Sequence, residues 1–414
     1  MAWIALVTIV GCGIGFRFVC ESLSRREEAF WRSKSRDFQR SMLERSTPRE
    51  EPSETDVSQA SPKAKRRWRN ALVVCLNDES PSCRSFVLAP EDGGSFADFH
   101  GGQAILVGLE HPTNQKRVTR FYSLSGPPGL NQYRITVKRV PDGLVSNLLH
   151  DTIRVGDVIE IQEPKGKFTS DIKDTRPLVL IAAGIGITPI LSMTLECFER
   201  RSTRPIRIFY QLRNSQDAPF LSLLREFSQS LLGNSRFELH VWWSRPIEGD
   251  VARRDSIGRL DAKSILDQTG SCDGEYMICG PDSFMTSLAE GLVSQGVAEA
   301  DVKYESFGGT KKGVGGIAVE EDAPQTPIDG PSFDVRIEDR QLKWQPHHGT
   351  LLELAEMNDV EVESSCREGD CGACVRRLIS GQVSYETDPS CDRESDEAVL
   401  CVARPVSDLH LDGE

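Results

Sequence analysis

The chain has no surplus of positive charge: 49 Lys and Arg face 62 Asp and Glu over 414 residues, a formal charge of −13. Phosphate recognition along a nucleic acid wants a basic face, so a nucleic-acid binder is excluded. It has no internal repeat at a fixed period, and its 34 Gly and 22 Pro are near average usage, which excludes a collagen-like chain. With 38% hydrophobic and 27% charged residues it is neither a disordered chain nor a polytopic membrane protein. At roughly 100–200 residues per domain, two or three separately cored domains are expected.

What charge there is lies unevenly. Residues 1–70 hold 14 Lys and Arg against 9 Asp and Glu (+5), and residues 332–414 hold 8 against 19 (−11), so the two ends face different partners. The 12 cysteines are scattered, except where three fall within nine residues and a fourth lies further on. That spacing is a metal pattern rather than a disulfide framework, and free thiolates imply a reducing compartment, hence a cytoplasmic protein.

Residues 1–16, MAWIALVTIVGCGIGF, carry no charged side chain, and after Arg17 the apolar run resumes only through Phe18, Val19 and Cys20. A spanning helix wants about 20 apolar residues and tolerates an Arg near one end. No basic stretch precedes the run and no small-residue cleavage site comes after it, so residues 1–20 read as an uncleaved membrane anchor, a misassigned start being the alternative. Arg25, Arg26, Arg32, Lys34, Arg36 and Arg40 would hold the downstream chain on the cytoplasmic face. Residues 21–66 read as a charged linker.

From Trp68 the texture changes to short apolar runs (ALVVCL, SFVLA, AILVGL, YRITVKRV) between Gly, Pro and Asp, the pattern of an antiparallel β-barrel over 67–174. From 175 to 308 continuous apolar strands (LVLIAAG, IRIFYQL, FELHVWW, EYMICG) alternate with helical stretches, which implies an α/β domain on a parallel sheet. Residues 309–331 are a Gly/Pro-rich linker, and 332–414 form a small third domain with a strand-like opening, FDVRIEDRQLKWQP, and a helix around Thr350 to Met357.

Cys366, Cys371 and Cys374 are spaced CxxxxCxxC, and Cys401 comes after 26 intervening residues. A cluster of two irons needs four thiolates, and a plant-type ferredoxin loop supplies three from one turn and the fourth from a distant segment. Gly369, Gly372 and Ala373 let backbone amides face the sulfurs. Zinc sites usually pair two close cysteine knuckles, and only one is present here; a structural zinc is the alternative. Cys391 competes as fourth ligand but lies in the polar DPSCDRESDE, whereas Cys401 lies in an apolar run, so Cys401 is preferred.

Arg120, Tyr122 and Ser123 in RFYSLSGPP suit a flavin: a guanidinium for phosphate, an aromatic ring for the isoalloxazine, a hydroxyl for its reactive nitrogen. Gly143 and Ser146 open a helix whose N-terminus is a phosphate site. PKGKF at 164–168 reads equally well as a plain turn. In IAAGIGITPI, Gly184 and Gly186 let backbone approach a pyrophosphate and Thr188 can donate at the helix start, although the motif is not GxGxxG. Cys279, Gly280 and Pro281 end a later strand, at the edge where open parallel sheets bind ligands, with a small buried residue as the plainer reading of Cys279. Phe307, in YESFG, is either core or a cap on the flavin face. Trp242 and Trp243 read as packing residues, and His347 and His348 as solvated.

Taken together, the order of flavin barrel, nucleotide sheet and ferredoxin loop resembles the ferredoxin-NADP reductase superfamily, and within it the phthalate dioxygenase reductase type with a C-terminal 2Fe-2S domain. The resemblance covers roughly residues 68–414. It implies flavin contacts at Arg120, Tyr122 and Ser123 and nucleotide contacts at Gly184, Gly186, Thr188, Pro189, Cys279, Gly280 and Pro281. The terminal aromatic falls on Phe307, and the third domain is expected to be an α+β β-grasp. Ser123, Cys279 and Phe307 are the residues expected at the chemistry. The wording of the barrel is similar to the reductase half of flavohaemoglobins, which implies FAD, with FMN as the alternative. The implied function is electron transfer from NADH or NADPH through the flavin to a 2Fe-2S cluster. A redox protein docked on the acidic domain, an oxygenase, haem protein or desaturase, would take the electrons. A flavin reductase with a structural metal and a membrane-tethered redox sensor are the alternatives. The gap before Cys401 is shorter than the usual ferredoxin spacing.

Overall fold

The computed structural model describes residues 68–305 apart from 114–116, 142, 201 and 231–235, and residues 331–412 apart from 359, 361, 363, 365–368, 370–371, 387, 390 and 392. The expected anchor at 1–20, the linker at 21–66, all but the last residue of the linker at 309–331, and Phe307, Cys366 and Cys371 lie outside the described residues. No helix among those described is long and apolar enough to cross a membrane.

The first unit is built from β1 (Arg69–Ser80), β2 (Cys83–Pro90), β3 (Ala104–Glu110), β4 (Arg117–Ser123), β5 (Tyr133–Lys138) and β6 (Val158–Ile161), paired antiparallel in the order β4-β3-β6-β1-β2-β5. The two end strands meet: Leu124 bridges Ile135, and the Ser125 amide donates to the Arg134 carbonyl at 2.8 Å, so the sheet closes on itself. Inside lie Phe86, Leu88, Ile105, Val107, Tyr133 and Ile135, the inward residues of alternating strands. Helix α1 (Leu144–Asp151) comes after β5 and buries Val145 and Leu149 against this core. PKGKF is not a plain turn: Lys165 forms an antiparallel bridge with Ala104, whose amide donates to the Lys165 carbonyl at 2.8 Å while the Lys165 amide returns a bond to Ala104.

The second unit is a parallel sheet of β7 (Leu178–Ala183), β8 (Ile206–Leu212), β9 (Phe237–Trp243), β10 (Ser256–Ile257), β11 (Glu275–Cys279) and β12 (Val302–Glu305), ordered β10-β9-β8-β7-β11-β12. Every residue of β7 is buried, as expected for a central strand covered on both faces. Helix α2 (Ile187–Glu199) covers one face. It is buried from Ile187 to Phe198, because it is enclosed between this sheet and the barrel rather than facing water. The other helices are α3 (Leu221–Ser230), α4 (Ala262–Thr269) and α5 (Asp282–Ser294). Asp261 caps α4 by accepting from the Ser264 amide at 2.7 Å, and Gly270, at φ 68°, ends it. Trp242 and Trp243 are both buried in the sheet's cores.

The third unit holds β13 (Phe333–Ile337), β14 (Arg340–Trp344), β15 (Val375–Ser380), β17 (Glu397–Val399) and β19 (Leu409–Leu411) in a sheet ordered β14-β13-β19-β15-β17. Strands β16 (Val383–Tyr385) and β18 (Ala403–Pro405) pair separately. Helix α6 (Leu351–Met357) packs Leu351, Leu352, Leu354 and Ala355 onto the core, the α+β arrangement expected of a β-grasp. The stretch FDVRIEDRQLKWQP is a hairpin rather than one strand: Ile337 pairs with Arg340, and Glu338 takes the turn at φ 55°. His347 is exposed as expected, but His348 is half-buried, its Nδ1 accepting from the Gln345 amide at 2.8 Å.

Candidate functional site

The flavin motif sits on β4, where the pairing with β3 sets Ser123 opposite Ala104, Tyr122 opposite Ile105 and Arg120 opposite Val107. Strand alternation puts Arg120 and Tyr122 on one face, Arg120 exposed and Tyr122 half-buried, with Ser123 buried at the strand end. Burial pushes the Tyr122 phenol far up, with the Arg120 charge acting the other way, so the ring stays neutral. Gly143 is the N-cap of α1 and makes no side-chain cap, so the first-turn amides of that helix are left to a ligand or water. Ser146 is turned to the backbone: its hydroxyl donates to the Gly143 carbonyl at 3.2 Å and accepts from the Val140 amide at 3.4 Å. A Cβ on Gly143 would stand 2.6 Å from the Ser146 Oγ, which accounts for the glycine.

The nucleotide motifs meet across the sheet. Strand order reverses beside β7, so β7 and β11 flank the crevice in which open parallel sheets bind dinucleotides. A Cβ on Gly186 would lie 2.3 Å from the Cys279 carbonyl oxygen and 2.9 Å from the Gly280 nitrogen, and one on Gly280 would lie 2.9 Å from the Ala183 Cβ. The two loops thus touch backbone to backbone. Gly184, at φ 55° and with open space where a Cβ would be, turns the chain into α2. Thr188 is buried and donates to the Ile185 carbonyl at 3.1 Å, so it closes the turn instead of offering its hydroxyl outward. Pro189 is buried in the first turn of α2, and Pro281 is the exposed N-cap of α5.

Cys279 is fully buried, and its thiol donates to the Glu305 carbonyl at 3.5 Å. Burial, reinforced by the Glu305 carboxylate, pushes that thiol well up, so it is a neutral thiol and not a nucleophile. Glu305, two residues before Phe307, is the neighbour of Cys279 that the motif reading did not include. The parallel register sets it beside Cys279 at the ends of β12 and β11, a pairing that no local motif marks.

Residues that join the two units were also missed. Ser192 on α2 donates to the Gly126 carbonyl, just past the flavin motif, at 2.9 Å. One turn on, the fully buried Glu196 accepts from the Gly101 amide at 2.8 Å and pairs with His100 Nδ1 and Arg200 Nε, both at 2.9 Å. The turn after β8 contributes Asp217, which accepts from Ser80 Oγ at 2.8 Å, Ser82 Oγ at 2.6 Å and Lys138 Nζ at 2.5 Å, all three from the barrel. Phe220 takes φ 60° beneath the Arg134 guanidinium, which donates to the Ser125 carbonyl. A left-handed backbone at a bulky residue is strain that surrounding contacts must hold.

In the third unit Val375 pairs with Val399, which brings the preceding Cys374 beside Leu400 and Cys401. The Cys401 amide donates to the Cys374 Sγ at 3.4 Å, and both thiols are buried. Gly369 and Gly372 hold φ of 80° and 67°. Cys391 is buried nearby, its amide bonded to the Gly369 carbonyl at 3.0 Å. An amide directed at one of two adjacent buried thiols, beside a loop turned by two left-handed glycines, fits an iron-sulfur donor set. Backbone-close glycines at the crevice fit a dinucleotide equally well.

Three family models match in series: an oxidoreductase FAD-binding domain over 72–170, an oxidoreductase NAD-binding domain over 180–290, and a 2Fe-2S iron-sulfur cluster binding domain over 335–406. They define an oxidoreductase of the ferredoxin-NADP reductase superfamily carrying a C-terminal 2Fe-2S domain, and the chain belongs to that class. Its domain set is that of phthalate dioxygenase reductase, a solved structure with which it shares 25% identity at a TM-score of 0.51, over 83% of this chain and 98% of that one. The flavohem-like FAD/NAD-binding domain of nitric oxide dioxygenase from Vibrio cholerae O1 biovar El Tor is 29% identical at a TM-score of 0.52, over 58% of this chain and 99% of that one. A flavohemoprotein of Rhizobium meliloti is 37% identical over 248 residues, 58% of this chain and 60% of the relative. The chain thus spans about 60% of the length of the curated relatives it matches, and that match covers the reductase part alone. The 2Fe-2S domain match displaces the structural-zinc alternative.

Proposed function

We propose that the chain takes electrons from NADH or NADPH and passes them through FAD and a 2Fe-2S cluster to a separate redox protein of the oxygenase, haem-protein or desaturase kind. The observation that carries this reading is the joining of the two cofactor edges. Ser192, on the helix that opens at the nucleotide loop, is bonded to Gly126, three residues past Ser123 of the flavin motif.

Bound FAD accepts a two-electron hydride and releases electrons singly, which matches a one-electron cluster to a two-electron donor. This chain's residues bind and position. Gly186 and Gly280 admit a dinucleotide backbone to the crevice, and the first-turn amides of α1 with Arg120 hold flavin phosphate. Tyr122 covers a ring face as a neutral phenol, and Ser123 presents its hydroxyl at the strand end. Cys279, neutral and buried between Gly186 and Glu305, places no thiolate charge behind the crevice in which nicotinamide would lie. Cys374 and Cys401 are two of the four thiolates; Cys366 and Cys371 supply the others. The acidic third domain favours an acceptor with a basic face.

The similarity to phthalate dioxygenase reductase supports this choice of acceptor class. The chain works on the cytoplasmic side, a reading supported by the thiolate-cluster spacing of its cysteines, with residues 1–20 as a tether. Purified protein should contain one flavin and two irons per chain and reduce ferricyanide with reduced nicotinamide nucleotide. Flavin without iron would defeat the reading.

A further inference from the structure

The carboxyl edge of the nucleotide sheet carries three arginines that the proposed electron path leaves unused. Arg213 directly follows β8, Arg245 stands two residues past β9, and Arg259 two residues past β10. These strands are parallel neighbours, so the three residues lie along one edge. The backbone keeps them in step beyond the strands. The Ser244 amide donates to the Leu212 carbonyl at 2.8 Å, Arg245 to Arg213 at 3.0 Å, and Gly258 to Trp243 at 2.9 Å. The buried Gln211 side chain ties the same edge together, donating to the Trp242 and Gly258 carbonyls at 3.2 and 3.3 Å and accepting from the Leu260 amide at 2.6 Å.

No carboxylate among the described residues forms an ion pair with any of the three, and Arg213 and Arg245 are exposed. The nearby acids are otherwise engaged or apart. Asp217 is held by Ser80, Ser82 and Lys138, and the buried Asp250 accepts from the Ile247 amide at 2.8 Å and the Ser215 amide at 3.2 Å. The Ser215 bond clamps the loop after β9 to the loop after β8. Glu248 is exposed and bonds neither arginine. Neighbouring guanidiniums without counter-charges repel one another, and a bound multivalent anion relieves that repulsion.

The position says which anion. Pyrophosphate belongs at the turn between β7 and α2, and nicotinamide at the β7–β11 crevice beside Cys279. The adenosine half must then run the other way, over the ends of β8 and β9. At such an edge an acidic residue holds a free ribose 2′-hydroxyl, whereas arginine accommodates a 2′-phosphate. Resting on the reading of this site as a nicotinamide-nucleotide site, we propose that Arg213, with Arg245 and Arg259 beside it, reads the adenosine 2′-phosphate, and that the chain selects NADPH over NADH.

The test is steady-state ferricyanide reduction by the flavin-loaded full chain with each nucleotide, for the native protein and for Arg213→Glu, with flavin content and melting temperature confirming that the variant is folded. The expected result is a kcat/KM at least about tenfold higher with NADPH, a preference that falls by at least about tenfold in Arg213→Glu through KM. Competition should follow suit, with 2′,5′-ADP inhibiting the native protein more strongly than 5′-AMP and the difference shrinking in the variant. Native preference for NADH, or a ratio unmoved by the substitution, overturns the proposal while leaving the electron-transfer reading intact. Oxidation of neither nucleotide overturns that reading and the proposal with it.

Discussion

Gly186 approaches Cys279 so closely that a Cβ added to it would stand 2.3 Å from the Cys279 carbonyl oxygen. The neighbour is backbone, so nothing flexible can move aside. Gly186→Ala should therefore part the two loops that flank the crevice, an overpacking cost of about 1–3 kcal/mol. It should lower kcat/KM for reduced nucleotide by at least about tenfold with flavin retained. Gly184→Ala meets open space and strains only a left-handed φ of 55°, so its effect should be the smaller. Steady-state kinetics of the pair checks the order, and equal losses would contradict the assigned geometry.

Asp217 links the barrel to the nucleotide sheet. Burial pushes its carboxyl up, but hydrogen bonds from Lys138, Ser82 and Ser80 outweigh that and hold it below the usual carboxylate value. A carboxyl depressed in the folded state contributes stability that is present above its unfolded pKa and is lost as pH falls through the folded value. The melting temperature of Asp217→Ala should thus lie below that of the native protein at neutral pH, and the gap should narrow in acid below about pH 4. A gap independent of pH would show that the carboxylate's charge is not what joins the units.

The strands ALVVCL, AILVGL, LVLIAAG and IRIFYQL were legible because an apolar run bounded by Gly, Pro or Asp leaves little else for it to be. Strand β12 was not, since VKYE is polar and pairs only as the outer neighbour of β11. The β13–β14 stretch read as strand-like with its turn unmarked, because that turn is Glu338 and Asp339 rather than a Gly pair. Gly186 stood out from local spacing, and Cys401 from the apolar run around it. Glu196 and Asp217 did not: their partners Gly101 and Ser82 lie 95 and 135 residues away in sequence, and only the packed units bring them together.

Cys374 and Cys401 stand together through the β15–β17 ladder, with the Cys401 amide on the Cys374 sulfur. Cys401→Ser should cost the chain its iron without disturbing the barrel or parallel sheet, whose cores are separate. Ferricyanide reduction should persist at more than about half the native rate, and transfer to a cytochrome should fall at least about tenfold, because a small oxidant can collect electrons at the flavin. Iron analysis with both assays checks this. If Cys391→Ser loses iron and Cys401→Ser keeps it, the choice of fourth ligand is wrong.

The most direct measurement is anaerobic rapid mixing of the native chain with reduced nicotinamide nucleotide, tracking flavin absorbance and, in samples frozen from the same reaction, the electron paramagnetic resonance of a reduced 2Fe-2S centre. Flavin bleaching and then the cluster signal, with the signal absent and the bleaching kept in Cys401→Ser, is the expected result. Flavin that is reduced while the cluster stays oxidised, with no other acceptor present, would contradict an electron path running from nucleotide through flavin to iron within this chain.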